Sequence, residues 1–290
     1  MDRQVDPGHF EGPLIPHGKG AFTVAVGGIA VRFEGLSEQL EAAALERYGP
    51  FLSDAPPAHK VHLCEGHQTY LDMAADQFLR LEEQRLSEGR TLVSHVFAAY
   101  RPDRTPREGL LRLSPATPED MALGALENYL RWIVADLALT SRGFVLHAAG
   151  LVRGGLGFVF FGPSGAGKST LAGMSGAYGL LSDDLVLIQE RDGAFCASST
   201  PFAGTLPQSH KRAGVFPLSG LYRLRQAPLH AVHSIRPLSL AVASVLACCP
   251  FVADPAARRD RLMPLVESCC AAVPVAELSF LKDPGFWDIL

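Results

Sequence analysis

Gly162, Gly167, Lys168 and Ser169 stand at the spacing G-x-x-x-x-G-K-S, inside the run Phe158-Val159-Phe160-Phe161-Gly162-Pro163-Ser164-Gly165-Ala166-Gly167-Lys168-Ser169-Thr170. Residues of these types at this spacing hold phosphate. The glycines let the backbone curl until successive N–H groups face one anion. Lys168 then places a point charge on the β- and γ-phosphates, and the Ser169 hydroxyl is positioned to hold Mg²⁺. The nucleotide-binding set is therefore Gly162, Pro163, Ser164, Gly165, Ala166, Gly167, Lys168, Ser169 and Thr170. The apolar run before Gly162 reads as a buried strand. A helix of about Lys168 to Ala177 is expected after it, its positive end toward the phosphates.

Two further features lie within reach of that loop. Asp183 and Asp184 are adjacent, flanked by Leu180-Leu181 and Leu185 to Ile188. Paired carboxylates between apolar runs are costly to bury unless they meet cations or do chemistry. A short strand at Leu180-Leu181 would deliver both to the phosphate edge, one to bind Mg²⁺ and the other to accept a proton from an attacking hydroxyl. His147 lies on the strand expected at Phe144 to Val152. The short Arg153-Gly154-Gly155 link forces an antiparallel hairpin with the loop's own strand. With Gly154-Gly155 at the centre, His147 falls opposite Gly162. A slip of one residue sends it to the other face, so the turn leaves His147 beside the phosphates in one register and in the core in the other.

Taken together, His147, the loop from Gly162 to Thr170 and Asp183-Asp184 resemble the catalytic domain of HPr kinase/phosphorylase. That family has a histidine on the strand before the loop, a G-x-S-G-x-G-K-S loop and a nearby Asp-Asp pair. The related carboxykinase group shares the early aspartate. Pro163 stands where the family usually has an acid, and Thr170 where it often has Glu. The resemblance implies an α/β fold: a P-loop kinase domain of the HPr-kinase/carboxykinase-like type. It implies ATP and Mg²⁺ as cofactors and transfer of a γ-phosphoryl to a hydroxyl of a protein, peptide or small molecule. By it, Asp183 is the base, Lys168 and Ser169 hold phosphate and metal, Asp184 supports the metal, and His147 sits close to the transferred phosphate. It covers residues 144 to 205. The family's acidic-Arg-Gly segment is replaced by Ser199 to Thr205, and its Arg-rich signature near the C-terminus is missing. These departures keep a second reading open, that of a nucleotide-binding regulatory module or an ATPase without phosphoryl transfer.

The elements that must position these residues follow from patterning. Residues 1 to 116 read as a strand-rich α+β lobe. It opens on an irregular Pro-rich arm, then a hairpin of Phe22 to Val26 and Ile29 to Phe33 around Gly27-Gly28. A short helix (Gln39 to Tyr48) and strands at Val61 to Cys64, Phe78 to Leu86, Arg90 to Tyr100 and Leu110 to Leu113 follow. His59, His62 and His67 have no partners at metal spacing and read as surface histidines. Thr117-Pro118-Glu119-Asp120 is a helix start. The helix, to about Ser141, makes residues 117 to 143 a connector docking the first lobe on the second. Residues 144 to 290 form the kinase-like domain. Its later parts read as a polar loop at Leu206 to Gly214, a strand at Gly220 to Leu224, packing helices at Pro237 to Cys249 and Ala256 to Val273, and a last strand at Val275 to Leu281. Arg223 or Arg225 is a candidate cation for a transition state, and Trp287 reads as a docking side chain.

Bulk properties narrow the function classes. A net charge of −4 over 290 residues lacks the basic excess of general nucleic-acid binders. The apolar stretch from Leu238 to Val252 is too short to span a bilayer and is broken by Pro250, so no membrane partner is expected. The first residues have no apolar core of a signal peptide, which predicts a cytoplasmic protein. Cys64, Cys196, Cys248, Cys249, Cys269 and Cys270 form no C-x-x-C knuckle and read as reduced, buried thiols. Nothing in the pattern sets oligomeric state, and a homo-oligomer is allowed.

Overall fold

The structure, a computed structural model, describes residues 7–66, 70, 81–115, 117–202, 204–206, 211–252 and 254–290. The chain divides into two compact units, Met1–Ile133 and Val134–Leu290. The division falls inside one long helix, α2 (Glu119–Thr140).

The first unit contains β1 (Gly20–Val26), β2 (Ile29–Leu36), α1 (Glu38–Tyr48), β3 (His59–Glu65), β4 (Glu82–Leu86), β5 (Gly89–Val93), β6 (Phe97–Pro102) and β7 (Glu108–Leu113). The strands form one sheet in the order β1-β2-β3-β7-β6-β5-β4. The β1–β2 hairpin turns at Gly27-Gly28, as its sequence predicts, with Val26 paired to Ile29. Ser37 caps α1 by accepting a hydrogen bond from the Leu40 N–H at 3.2 Å. Stacked and edge-on rings of Phe22, Phe33, Tyr48, Tyr129 and Trp132 fill the core, with centroids 5.2 to 6.1 Å apart.

Two expectations for this unit need correction. Arg90 to Tyr100 is two strands, because Ser94 folds the chain back: its N–H donates to Phe97 O and its Oγ accepts from Val96 N–H. The apolar Val93 and Val96 on either side hide that turn in the sequence. His59 is fully buried. Its Nδ1 lies 3.2 Å from Pro106 O and its Nε2 2.9 Å from Tyr129 Oη, so both ring nitrogens are satisfied inside. The Thr117 hydroxyl, just before α2, donates to Val96 O. Of the strand expected at Phe78 to Leu86, residues 78–80 lie outside the described residues, as do His67 and residues 1–6 of the arm.

The second unit contains β8 (Gly143–Arg153), β9 (Leu156–Phe161), α3 (Lys168–Met174), β10 (Gly179–Ser182), β11 (Leu185–Arg191), β12 (Ala194–Ser198), β13 (Val215–Gln226) and β14 (Ala231–Ser234). Then come α4 (Leu238–Leu246), α5 (Pro255–Ala257), a π-helical turn (Arg258–Leu262), α6 (Met263–Ala272) and β15 (Val275–Phe280). The main path of its sheet is β10-β8-β11-β12-β13-β15-β14, and β9 bridges β13 and β8. The path β8-β11-β12-β13-β9 therefore returns to β8 as a closed ring. Long strands make this possible. β8 pairs with β11 through residues 143–147 and with β9 through residues 148–153. β13 likewise pairs first with β12, then in parallel with β9 and β15.

β9 carries the loop and is buried from Gly157 to Phe161. Val159 and Phe161 enter one core with Leu146, Val186, Leu221, Val245 and Val266. Phe158 and Phe160 enter a second with Leu151, Leu171, Tyr222, Phe286 and Trp287. A strand covered on both faces reads as an unbroken apolar run, which is what Phe158 to Phe161 shows. Trp287 is the buried docking side chain that its position implies, its Nε1 donating to Ser175 Oγ at 3.0 Å. β12 and β14 have no counterpart in the sequence reading. α3 stops at Met174, short of Ala177, where the Ser175 hydroxyl turns back onto Leu171 O. α4 ends at Leu246 rather than Cys249, with Leu238 and Leu240 exposed.

Candidate functional site

The hairpin resolves the register that the turn left open. Arg153 pairs with Leu156 and Ala148 with Phe161, which puts His147 one step beyond the ladder, level with Gly162. The His147 side chain is 46 % exposed and outside the core. Its backbone N–H donates to Cys248 O at 2.8 Å, so the end of α4 holds this stretch of β8 in place.

After β9 the chain turns through Gly162 to Gly167. Ala166 N–H donates to Pro163 O at 3.2 Å. Gly165 and Gly167 take φ of +79° and +103°, the left-handed region that suits glycine. Gly167 starts α3, and among the described residues no side chain caps it. A Cβ there would stand 2.7 Å from the Phe280 ring. Ser169 is half-buried, while Ser164 and Thr170 are exposed.

Lys168 is buried and reaches back across the loop, its Nζ donating to Gly162 O (2.9 Å) and Pro163 O (3.1 Å). Burial lowers its pKa from the ordinary lysine value, while Cys248 and Asp184 act to hold the proton. An anion entering the loop would restore what burial removes. Asp184 Oδ1 lies 3.8 Å from His147 Nε2. Lys168, Asp184 and His147 thus share one end of the loop.

Asp183 turns the other way. It is 3 % exposed, and its Oδ2 accepts from the N–H groups of Thr205 (2.6 Å) and Leu206 (2.8 Å). Its Oδ1 is buried and has no hydrogen bond among the described residues. Asp183 and Asp184 form the bend between β10 and β11, and there the two carboxylates part. The turn between them is braced: Ser182 Oγ accepts from Asp184 N–H (3.2 Å) and from the Thr200 hydroxyl (3.1 Å), which also reaches Leu185 O. A Cβ on Gly204 would lie 2.2 Å from Asp183 Oδ2, so only glycine lets that segment close over the carboxylate.

Two neighbours escaped the sequence reading. Cys248, expected as a reduced, buried thiol, is half-buried and faces the Gly162 N–H. Burial raises its pKa, and Lys168, that N–H and Arg223 pull it down. Only the non-local docking of α4 brings it here, so no local signal announces it. Gln226 Nε2 donates to Gly165 O at 2.9 Å and ties β13 to the loop. Of the two candidate arginines, Arg225 is 3.3 Å from Glu277. Arg223 is exposed and pairs in register with Phe161, the residue before the loop. Residues 207–210 of the expected polar loop lie outside the described residues.

The oxygen donors Ser169 Oγ and the Asp184 carboxylate are of the kind Mg²⁺ takes, and Mg²⁺ is commonly held by one or two carboxylates plus substrate phosphates. No group of three or more His, Cys, Asp or Glu able to hold a metal occurs among the described residues. Among these residues too, no helix is long and apolar enough to cross a membrane.

No curated protein sequence matches this chain. The model of a family described as SynChlorMet cassette protein ScmC matches residues 110–248, a span that runs from β7 to Cys248 and takes in the loop and both aspartates. Among solved structures, the HPr(Ser) kinase/phosphatase from Coxiella burnetii is similar at 13 % identity and a TM-score of 0.28, over 50 % of this chain and 90 % of that one. A superposition of that quality carries no argument about chemistry.

Proposed function

We propose that the chain is an ATP-dependent phosphotransferase that moves a γ-phosphoryl to a hydroxyl of a protein, peptide or small molecule. The observation that carries this reading is the buried Lys168 ammonium, held at the mouth of a glycine loop at the same end as Asp184 and His147. A buried cation beside carbonyls and one carboxylate is a standing site for a polyphosphate. Gly162 to Thr170 would receive the phosphates, with Lys168 on the terminal pair. Ser169 and Asp184 would hold Mg²⁺, which when bound offsets charge on the β- and γ-phosphates. The acceptor oxygen attacks the γ-phosphorus, the bond to the β-phosphate oxygen breaks, ADP leaves, and a carboxylate takes the hydroxyl proton. Asp183 Oδ1 is the proposed acceptor of that proton, with His147 beside the transferred group and Arg223 as a cation at the rim.

A second assignment of the base is favoured by one observation. Asp184 shares the loop's end with Lys168 and His147, whereas Asp183 is closed over by Gly204 to Leu206. Incubation with Mg²⁺ and γ-labelled ATP, alone and with protein and small-molecule fractions of a lysate, tests both. Asp183→Asn is expected to cut transfer by about 10²- to 10⁴-fold with ATP binding retained. If Asp184→Asn does so instead, the base is Asp184. ATP binding without transfer to any fraction by the wild-type chain would replace the kinase reading with that of a regulatory module. Release of free phosphate alone would make it an ATPase.

A further inference from the structure

A cavity of about 500 Å³ opens beside the loop, within the size range of ligand pockets. Gly167 and Thr170 line it, and Lys168, Asp184 and His147 do not. Lys168 marks the other end of the loop, where its Nζ meets Gly162 O and Pro163 O. The terminal phosphates belong at that end. The cavity therefore lies where a donor would continue past its inner phosphate. A bare pyrophosphate or polyphosphate has nothing to put there.

The walls are built rather than incidental. Phe280 is buried, packs edge-on to Phe286 at 6.3 Å, and sits against Gly167 so closely that no Cβ fits between them. Ala227 N–H donates to Phe280 O at 3.0 Å. Leu281 N–H donates to His230 Nδ1 at 3.3 Å. His230 Nε2 lies 2.8 Å from Asp283 Oδ1. Leu281 O in turn accepts from Asp283 N–H. Gln226 is tied to Gly165. Ala227 N–H, Phe280 O, Leu281 N–H and Leu281 O are thus committed, and among the described residues the only ionisable side chain lining the cavity is the cation Lys282. Such a pocket offers packing surface, one positive charge and the polar tips of Thr170 and Gln226, with no carboxylate among the described lining residues to accept from the ring N–H and amino group of guanine.

We propose that this cavity holds the nucleoside of a nucleoside triphosphate donor, gripping the base by packing against Ala227 and Leu281. It rests on the phosphotransferase reading, and it makes the donor a nucleotide rather than pyrophosphate. Because packing does the work, adenine and guanine are separated by less than about tenfold.

Calorimetric titration with ATP, GTP and tripolyphosphate, each with Mg²⁺, tests it. The wild-type chain is expected to bind ATP at least about tenfold tighter than tripolyphosphate. Ala227→Phe fills the cavity and should bring ATP down to the tripolyphosphate level. Unchanged tripolyphosphate binding by the same variant reports an intact loop. Leu281→Ala, a trim at an exposed side chain, should weaken ATP severalfold and leave tripolyphosphate alone. Equal binding of ATP and tripolyphosphate by wild type, or ATP binding indifferent to both variants, overturns the nucleoside pocket while leaving the loop's phosphate role standing. A tenfold or greater preference for one purine overturns the packing account. Failure of all three ligands to bind removes the phosphotransferase reading and this one with it.

Discussion

Lys168 concentrates the conflict between stability and function into one side chain. Burial lowers its pKa below the ordinary 10.5. Between the folded value and 10.5 the unfolded chain holds a proton that the folded chain has shed, so stability rises with pH across that window. Lys168→Met has no such titration. The melting temperature of wild type minus that of Lys168→Met is therefore expected to grow from about pH 7 to about pH 10. A difference that stays flat would show that burial does not press on this ammonium. The same variant should bind ATP about a hundredfold more weakly at neutral pH, because the buried charge is what meets the terminal phosphates.

At the scale of elements, the loop is held from both flanks. β9 is clamped between β8 and β13, and the Phe280 ring at the end of β15 presses on Gly167. Gly167→Ala asks an L-residue to take φ of +103° and sets its Cβ 2.7 Å from that ring. The conformation alone costs ~1–2 kcal/mol, and a thermal melt should show a loss of ~3–8 °C. Phe280→Ala in the same chain removes the steric part but not the conformational part. The penalty of Gly167→Ala is expected to be smaller in the Phe280→Ala background, and equal penalties in the two backgrounds would exclude the contact as a cause.

At the scale of the whole molecule, each unit has its own sheet and its own core. The first is built on the aromatic cluster around Phe33 and Tyr129, and the second on the two faces of β9. Every residue proposed to meet nucleotide belongs to Val134–Leu290. Calorimetric unfolding is expected to contain two components, and Mg²⁺ with ATP should raise only one of them, since a ligand stabilises the unit that binds it. A single transition that moves as a whole would mean that α2, continuous across the division, couples the units into one cooperative body.

The sequence by itself determined the features that depend on near neighbours. Gly154-Gly155 sets the β8–β9 hairpin, the apolar run places β9, and the glycine spacing places the loop and the start of α3. Each follows from turn geometry and side-chain period over a few residues. Tertiary structure alone decided which way these residues face and what they meet. Asp183 and Asp184 are adjacent in sequence, yet one is capped by Thr205 and Leu206 while the other stands with His147 and Lys168. His147 was divided between two faces until the ladder fixed its register. Cys248, Gln226 and Phe280 reach the loop only through the docking of α4, β13 and β15, and β12 went unread although it leads into the Thr200 brace of the Asp183 turn. Local spacing controls backbone torsion, but the partner of a side chain is chosen by packing between distant segments, and no short stretch of sequence carries that information.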